Sequence, residues 1–119
     1  MKYELLGVNK DIANIVSDDI LIYDVNSALD FVMSLQYECN TNMFIINKKN
    51  IVEEFFDLKT TLAGEILQKF VNYNVKIAII GDYSIYTSKS LHDYIFECNK
   101  GKDIFFLSEV SIAVRKFES

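Results

Sequence analysis

The sequence predicts an α/β domain: a mixed sheet in which an N-terminal β-hairpin is followed by alternating strands and helices. Three observations carry that reading. Short runs at 43–46 (MFII), 75–80 (VKIAII) and 104–107 (IFFL) are apolar at nearly every position, the mark of strands covered on both faces. Stretches with helical periodicity lie between them. Residues 3–8 and 12–16 flank a polar Asn9-Lys10-Asp11 turn, whose side chains suit a tight reversal. Alternation of this kind favours a mostly parallel sheet clothed by helices, here entered through an antiparallel hairpin.

In chain order, a further apolar run at 20–25 (ILIYDV) is either a short third strand or the lead-in to a helix. Asn26 and Ser27 offer a cap, with Asp30 three residues after Ser27 in a capping-box-like arrangement. Ala28, Val32 and Leu35 share one face with Phe31 beside them, which predicts a first helix over 26–38. Asn40-Thr41-Asn42 breaks that pattern, and Asn47-Lys48-Lys49-Asn50 reads as a polar loop after the strand at 43–46.

The stretch 55–83 is the organising unit. Leu58, Leu62, Ile66 and Phe70 recur every four residues beside Ala63, Leu67 and Val71, while Glu65, Gln68, Lys69 and Asn72 take the opposite face. This helix begins at Asp57 or at Thr61, since either side chain can accept a first-turn amide. Gly64 sits inside the pattern, where it costs about 1 kcal/mol against alanine. A tight helix–sheet contact accounts for it, or else the close approach of a partner. The strand at 75–80 ends at Gly81-Asp82. Ser90, with Asp93 behind it, caps a third helix whose buried stripe is Leu91, Ile95 and Cys98. Asn99-Lys100-Gly101 stops that helix, with Gly101 suited to a left-handed cap. Ser108 caps a last helix that turns Val110, Ala113, Val114 and Phe117 inward.

With 119 residues the chain reads as one domain, long enough to bury a core without staples. Half of it is hydrophobic and a quarter charged, which is globular rather than disordered. A net charge of −5, with Arg115 the sole arginine, argues against nucleic acid or an anionic membrane as partner, because phosphate contacts need clustered cations. Cys39 and Cys98 fit small buried hydrophobes in a reducing compartment, a disulfide between them being the lesser alternative. The opening residues, MKYELLGVNKD, lack the apolar core of a secretion signal, and no run reaches the roughly 18 apolar residues that span a bilayer. A cytoplasmic protein is expected.

Ligands of open α/β sheets sit outside the carboxyl ends of the strands. The expected rim gathers Asn47, Lys48 and Lys49 after one strand, Gly81 and Asp82 after the next, and Ser108 and Glu109 after the last. Asp57, Lys59, Thr60 and Thr61 open the second helix on that edge, and Ser88, Lys89 and Ser90 open the third. Asp57–Thr61 either binds a charged group at the positive end of a helix dipole or simply caps the helix. Gly81-Asp82 is a close-approach turn with a placed carboxylate, or a plain strand ending; Ser88-Lys89-Ser90 is a small anion nest, or two caps. The Lys89–Ser90 neighbourhood in sequence does not make a dyad, which needs spatial contact. His92, the sole histidine, has Ser88 and Phe96 four residues away and reads as a surface or half-buried helix residue. One histidine and two distant cysteines make no metal set, and no phosphate-loop, dinucleotide or nucleophile-elbow motif is present. No catalytic residue, cofactor or metal is therefore predicted.

The blocks FFDLKTTLAGEILQKFVNYNVKIAIIGD and SKSLHDYIFECNKG resemble an uncharacterised bacterial family of small domain-of-unknown-function (DUF4180-like) proteins, over nearly the whole chain. That resemblance implies a fold and no activity. A looser resemblance is to the STAS domains of anti-sigma-factor antagonists, carried by Phe56-Asp57, Thr60 or Thr61, Leu62 and Gly81. Leu58 and Lys59 stand where that family has small residues. It implies a regulatory module whose phosphorylated hydroxyl falls at Thr60 or Thr61. Two functions follow as expectations. One is a non-catalytic regulatory or protein-interaction module, with a protein partner or self-association. The other is a binder of a small anionic ligand or phospho-metabolite, using Lys59, Asp82, Ser88 and Lys89, with at most weak enzymatic activity. A homodimer with some of the nine Phe and seven Tyr at its interface is a further possibility, against the plainer account that they fill the core.

Overall fold

The computed structural model describes residues 2–119. Its sheet has five strands in sequence order: β1 (Lys2–Leu6), β2 (Ile12–Val16), β3 (Met43–Asn47), β4 (Lys76–Ile80) and β5 (Ile104–Leu107). β1 and β2 are antiparallel, with Leu6 opposite Ile12 and Lys10 taking a positive φ of 54° in the turn. β2 to β5 are parallel, with Ile45 opposite Ala78 and Ile79 opposite Phe106. Helices α1 (Val25–Cys39), α2 (Leu62–Asn72) and α3 (Lys89–Lys100) make the three crossovers, and α4 (Val110–Glu118) ends the chain. Each crossover steps one strand in the same direction, so connections of one hand lay α1 to α3 on one face.

Strand periodicity divides the core in two. Ala13, Ile15, Phe44, Ile46, Ile77, Ile79 and Phe106 meet the buried stripes of α1, α2 and α3. Alternate residues Ile12, Ile45, Ala78, Ile80 and Phe105 turn the other way, onto Ala113 and its neighbours in α4. Fully burying side chains of this size stabilises by about 1.5–3 kcal/mol each. Where α4 does not reach, the reverse face becomes polar: Asn14 donates to Glu4 across β1 and β2 at 2.8 Å. The Glu118 carboxylate accepts from the Val8 amide at 2.6 Å, tying the end of α4 to the first hairpin.

Several local expectations are corrected. Of the two readings of the run at 20–25, the lead-in to a helix holds and the strand does not: Ile22 makes one parallel bridge to Ile51, and Val25 already opens α1. Asp24, not Asn26 or Ser27, caps that helix. Ser27 is the reciprocal residue, donating its N–H to Asp24 Oδ1 at 2.7 Å and accepting from the Asp24 N–H at 3.0 Å. Ser88, rather than Ser90, caps α3, and Gly101 ends it at φ −83°, without the left-handed geometry. Glu109 rather than Ser108 occupies the cap position of α4, and its side chain makes no capping bond. Leu58 lies before α2, in a short 3₁₀ turn. Gly64 makes no tight contact with the sheet, since a Cβ there would meet nothing within 4 Å. Both cysteines are free thiols and only half-buried. The phenylalanines mostly fill the core, whereas Tyr23, Tyr37 and Tyr73 are exposed.

Candidate functional site

The carboxyl ends of β2 to β5 share one edge, and the connections 17–24, 48–61, 81–88 and 108–109 leave from it. The firmest feature there is built around Lys48. A Cβ at position 81 would lie 2.8 Å from Lys48 Cβ and 3.0 Å from its Cδ. Gly81 is therefore the residue that lets the Lys48 stem cross the end of β4. Beyond it the ammonium lies 4.9 Å from the ring centres of both Phe56 and Tyr86, and 3.1 Å from Glu53 Oε1. Tyr86 stacks on Phe56 at 5.7 Å and donates its hydroxyl to Glu53 Oε2 at 2.6 Å.

Four further bonds pin the 81–88 connection. The Tyr83 hydroxyl donates to the Ile79 carbonyl at 2.6 Å, with its ring edge-on to Phe106. His92 Nε2 lies 2.7 Å from the Tyr86 carbonyl, so an N–H there donates to it. Asp82 accepts from both the hydroxyl and the amide of Ser84, at 2.6 and 3.0 Å. Between these anchors Ile85 is left 64% exposed.

The titrating groups follow this geometry. Burial works against the Lys48 charge, but its contacts with Tyr86 and Glu53 outweigh that and hold the ammonium pKa above its ordinary value. Burial likewise opposes the Glu53 charge, yet hydrogen bonds from Tyr86 and Lys48 hold the carboxyl below its usual range. Burial pushes the Tyr83 phenol far up and the Tyr94 phenol up to about 12. The Ser84 hydroxyl, then its amide, lowers Asp82.

The residues singled out by sequence lie around this cluster. Asp57 accepts from the Lys59 amide at 3.1 Å and caps the 3₁₀ turn Leu58–Thr60, and Lys59 itself is exposed. The Thr60 hydroxyl lies 2.8 Å from the carbonyls of Glu54 and Asp57 and accepts from the Leu62 amide at 3.3 Å. Thr61 precedes α2 at φ 62°; its hydroxyl turns to Glu65 and caps nothing. Ser88 accepts from the Leu91 amide, Lys89 pairs with Asp93 at 2.7 Å, and Ser90 is exposed in the first turn of α3. The two ends of the 55–83 stretch do meet, but through Phe56 against Tyr83 and Tyr86 rather than through their polar residues.

Two elements of the rim escaped sequence reasoning. Glu53 and Tyr86 lie 33 residues apart, and no periodicity links them. Asn50, read as loop, is fully buried: its amide donates to the carbonyls of Ser17 and Asp19 at 2.7 and 2.8 Å, while Oδ1 accepts from the Asn47 amide. It thereby stitches the end of β2 to the end of β3. Beside this stitch lies an open cleft of about 520 Å³, lined by Lys2, Asn14, Asp18, Asn47, Lys49 and Val110 among others. Lys49 is paired there with Asp18 at 2.9 Å. Among the described residues no side-chain polar atom is buried without a partner, and no group of three acidic, histidine or cysteine residues could hold a metal. No described helix is long and apolar enough to cross a membrane.

Fold and rim define a small α/β domain with a mixed five-stranded sheet and an interlocked C-terminal edge. The chain belongs to the family described as Domain of unknown function (DUF4180), whose model matches residues 8–117. No curated protein and no solved structure matches the chain.

Proposed function

We propose that this chain is a non-catalytic, cytoplasmic regulatory module of STAS-like type, which docks a protein partner on its C-terminal rim. The observation that carries the reading is Ile85, an apolar side chain held 64% exposed on a segment clamped at Tyr83, Tyr86 and Asp82. A pre-ordered apolar anchor loses little entropy on binding and suits a protein surface better than a small polar ligand. The surrounding hydroxyls and carboxylates support it as well. Asp57, Thr60, Asp82 and Ser88 are engaged by nearby backbone, which leaves a shaped surface rather than converging reactive groups. Affinity capture from the native cell tests the proposal. A partner held by the wild type is expected to be lost with Ile85→Asp and weakened by Thr60→Glu or Thr61→Glu. Equal capture by all four proteins would defeat it.

A second reading is a small anionic ligand held in the cleft by Lys2 and by Lys49, which must give up its pair with Asp18 and bind beside Asp19. A ligand at about a hundred times its dissociation constant stabilises by roughly 2.7 kcal/mol, which a thermal-shift screen of anionic metabolites detects. That reading requires a shift that Lys49→Ala abolishes, and a screen without shifts counts against it.

A further inference from the structure

A sheet has two edges, and each presents unpaired backbone to any passing strand. Here the β5 edge is closed in an unusual way. The Ile77 amide donates to the Asp103 carbonyl and the Gly81 amide to the Leu107 carbonyl, at 2.8 and 2.9 Å. Odd-numbered residues of this strand thus face β4, and the backbone of Phe106 faces outward. Asn99, in the last turn of α3, meets it with both ends of its amide. Oδ1 accepts from the Phe106 N–H at 2.8 Å, and Nδ2 donates to the Phe106 carbonyl at 3.1 Å. A primary amide in this posture supplies the same donor and acceptor that one residue of a neighbouring strand would.

The strand so covered is the one that most needs it. IFFL is four apolar residues without charge, a composition that favours strand addition. The side chains of Phe105 and Phe106 are already buried on opposite faces of the sheet, so the backbone is what the edge still offers. We propose that Asn99 is an edge guard, which occupies the outward hydrogen-bonding groups of β5 and keeps that strand from pairing with β5 of a second copy. A second copy is the fitting occupant because each copy would present the same freed Phe106 N–H and carbonyl, and antiparallel pairing about Phe106 satisfies both at once across an uncharged centre. This concerns the sheet edge and stands apart from the docking rim.

Asn99→Ala tests the inference, with Ile95→Val on the same helix as a control for simple loss of stability. Hydrogen exchange at the Phe106 amide, measured in dilute solution, is expected to quicken about tenfold or more in Asn99→Ala and to stay near the wild-type rate in the control. Sedimentation at rising concentration is expected to show association beyond that of the wild type. Adding Ser108→Lys, a charge at an exposed position at the end of the freed edge, is expected to reverse it. Unchanged exchange at Phe106, or association no greater than that of Ile95→Val, would overturn the proposal. If Asn99→Ala does not fold, Asn99→Leu carries the same readouts, since it keeps the side-chain volume and removes both bonds to Phe106.

Discussion

Thr61 and Gly64 sit three residues apart and each stands where the other's freedom is wanted. Thr61 is β-branched yet takes φ 62°, a conformation that strains an L side chain and that glycine adopts freely. Gly64 lies within α2 with open space around the missing Cβ. Thr61→Gly is therefore expected to stabilise by about 0.5–1 kcal/mol, strain relief exceeding the added chain entropy. Gly64→Ala is expected to gain a similar amount, about 0.5–1 kcal/mol. Chemical denaturation checks both, and a loss in either contradicts this account of the helix start. Asn50 works in the opposite sense. Asn50→Ala leaves the carbonyls of Ser17 and Asp19 without their donor beneath the rim, and is expected to cost about 2–3 kcal/mol in the same assay.

At the scale of elements, the connections determine the rim. The segment 81–88 has no regular structure, yet Tyr86 ties it to Glu53 and Lys48 of the preceding connection. Tyr86→Phe removes the bond to the carboxylate and keeps the ring on Phe56. Because Glu53 titrates lower in the folded chain than its ordinary value of 4.5, its stabilising contribution is fully present above that pH. It fades as the pH falls through the lowered value. The stability gap between wild type and Tyr86→Phe is thus expected to narrow on acidification from about pH 7 to about pH 3 in thermal melts. A gap independent of pH would mean the bond is not made to an ionised Glu53. Such cross-chain ties leave no local trace in sequence. Helix caps were legible to within a few residues, and displaced for one reason: Ser27 and Ser90 bear capping chemistry, but Asp24 and Ser88 hold the extended backbone that a cap requires.

For the molecule as a whole, the order of strands and helices was legible because burial on both faces leaves the runs at 43–46, 75–80 and 104–107 almost without polar residues. The hairpin was legible from its turn. What periodicity does not carry is which side chains meet above the sheet, so the rim was expected as an edge and its interlock of Lys48, Glu53 and Tyr86 was not. The most direct test of the docking claim compares two exposed apolar residues on separate elements: Ile85 on the rim and Tyr37, 95% exposed, on α1. Once a partner is in hand, its dissociation constant is measured for Ile85→Asp and for Tyr37→Asp. Docking at the rim predicts a loss of about tenfold or more for Ile85→Asp, as for a buried anchor, and a near-native constant for Tyr37→Asp. A near-native constant for Ile85→Asp, with the loss at Tyr37→Asp instead, would contradict it.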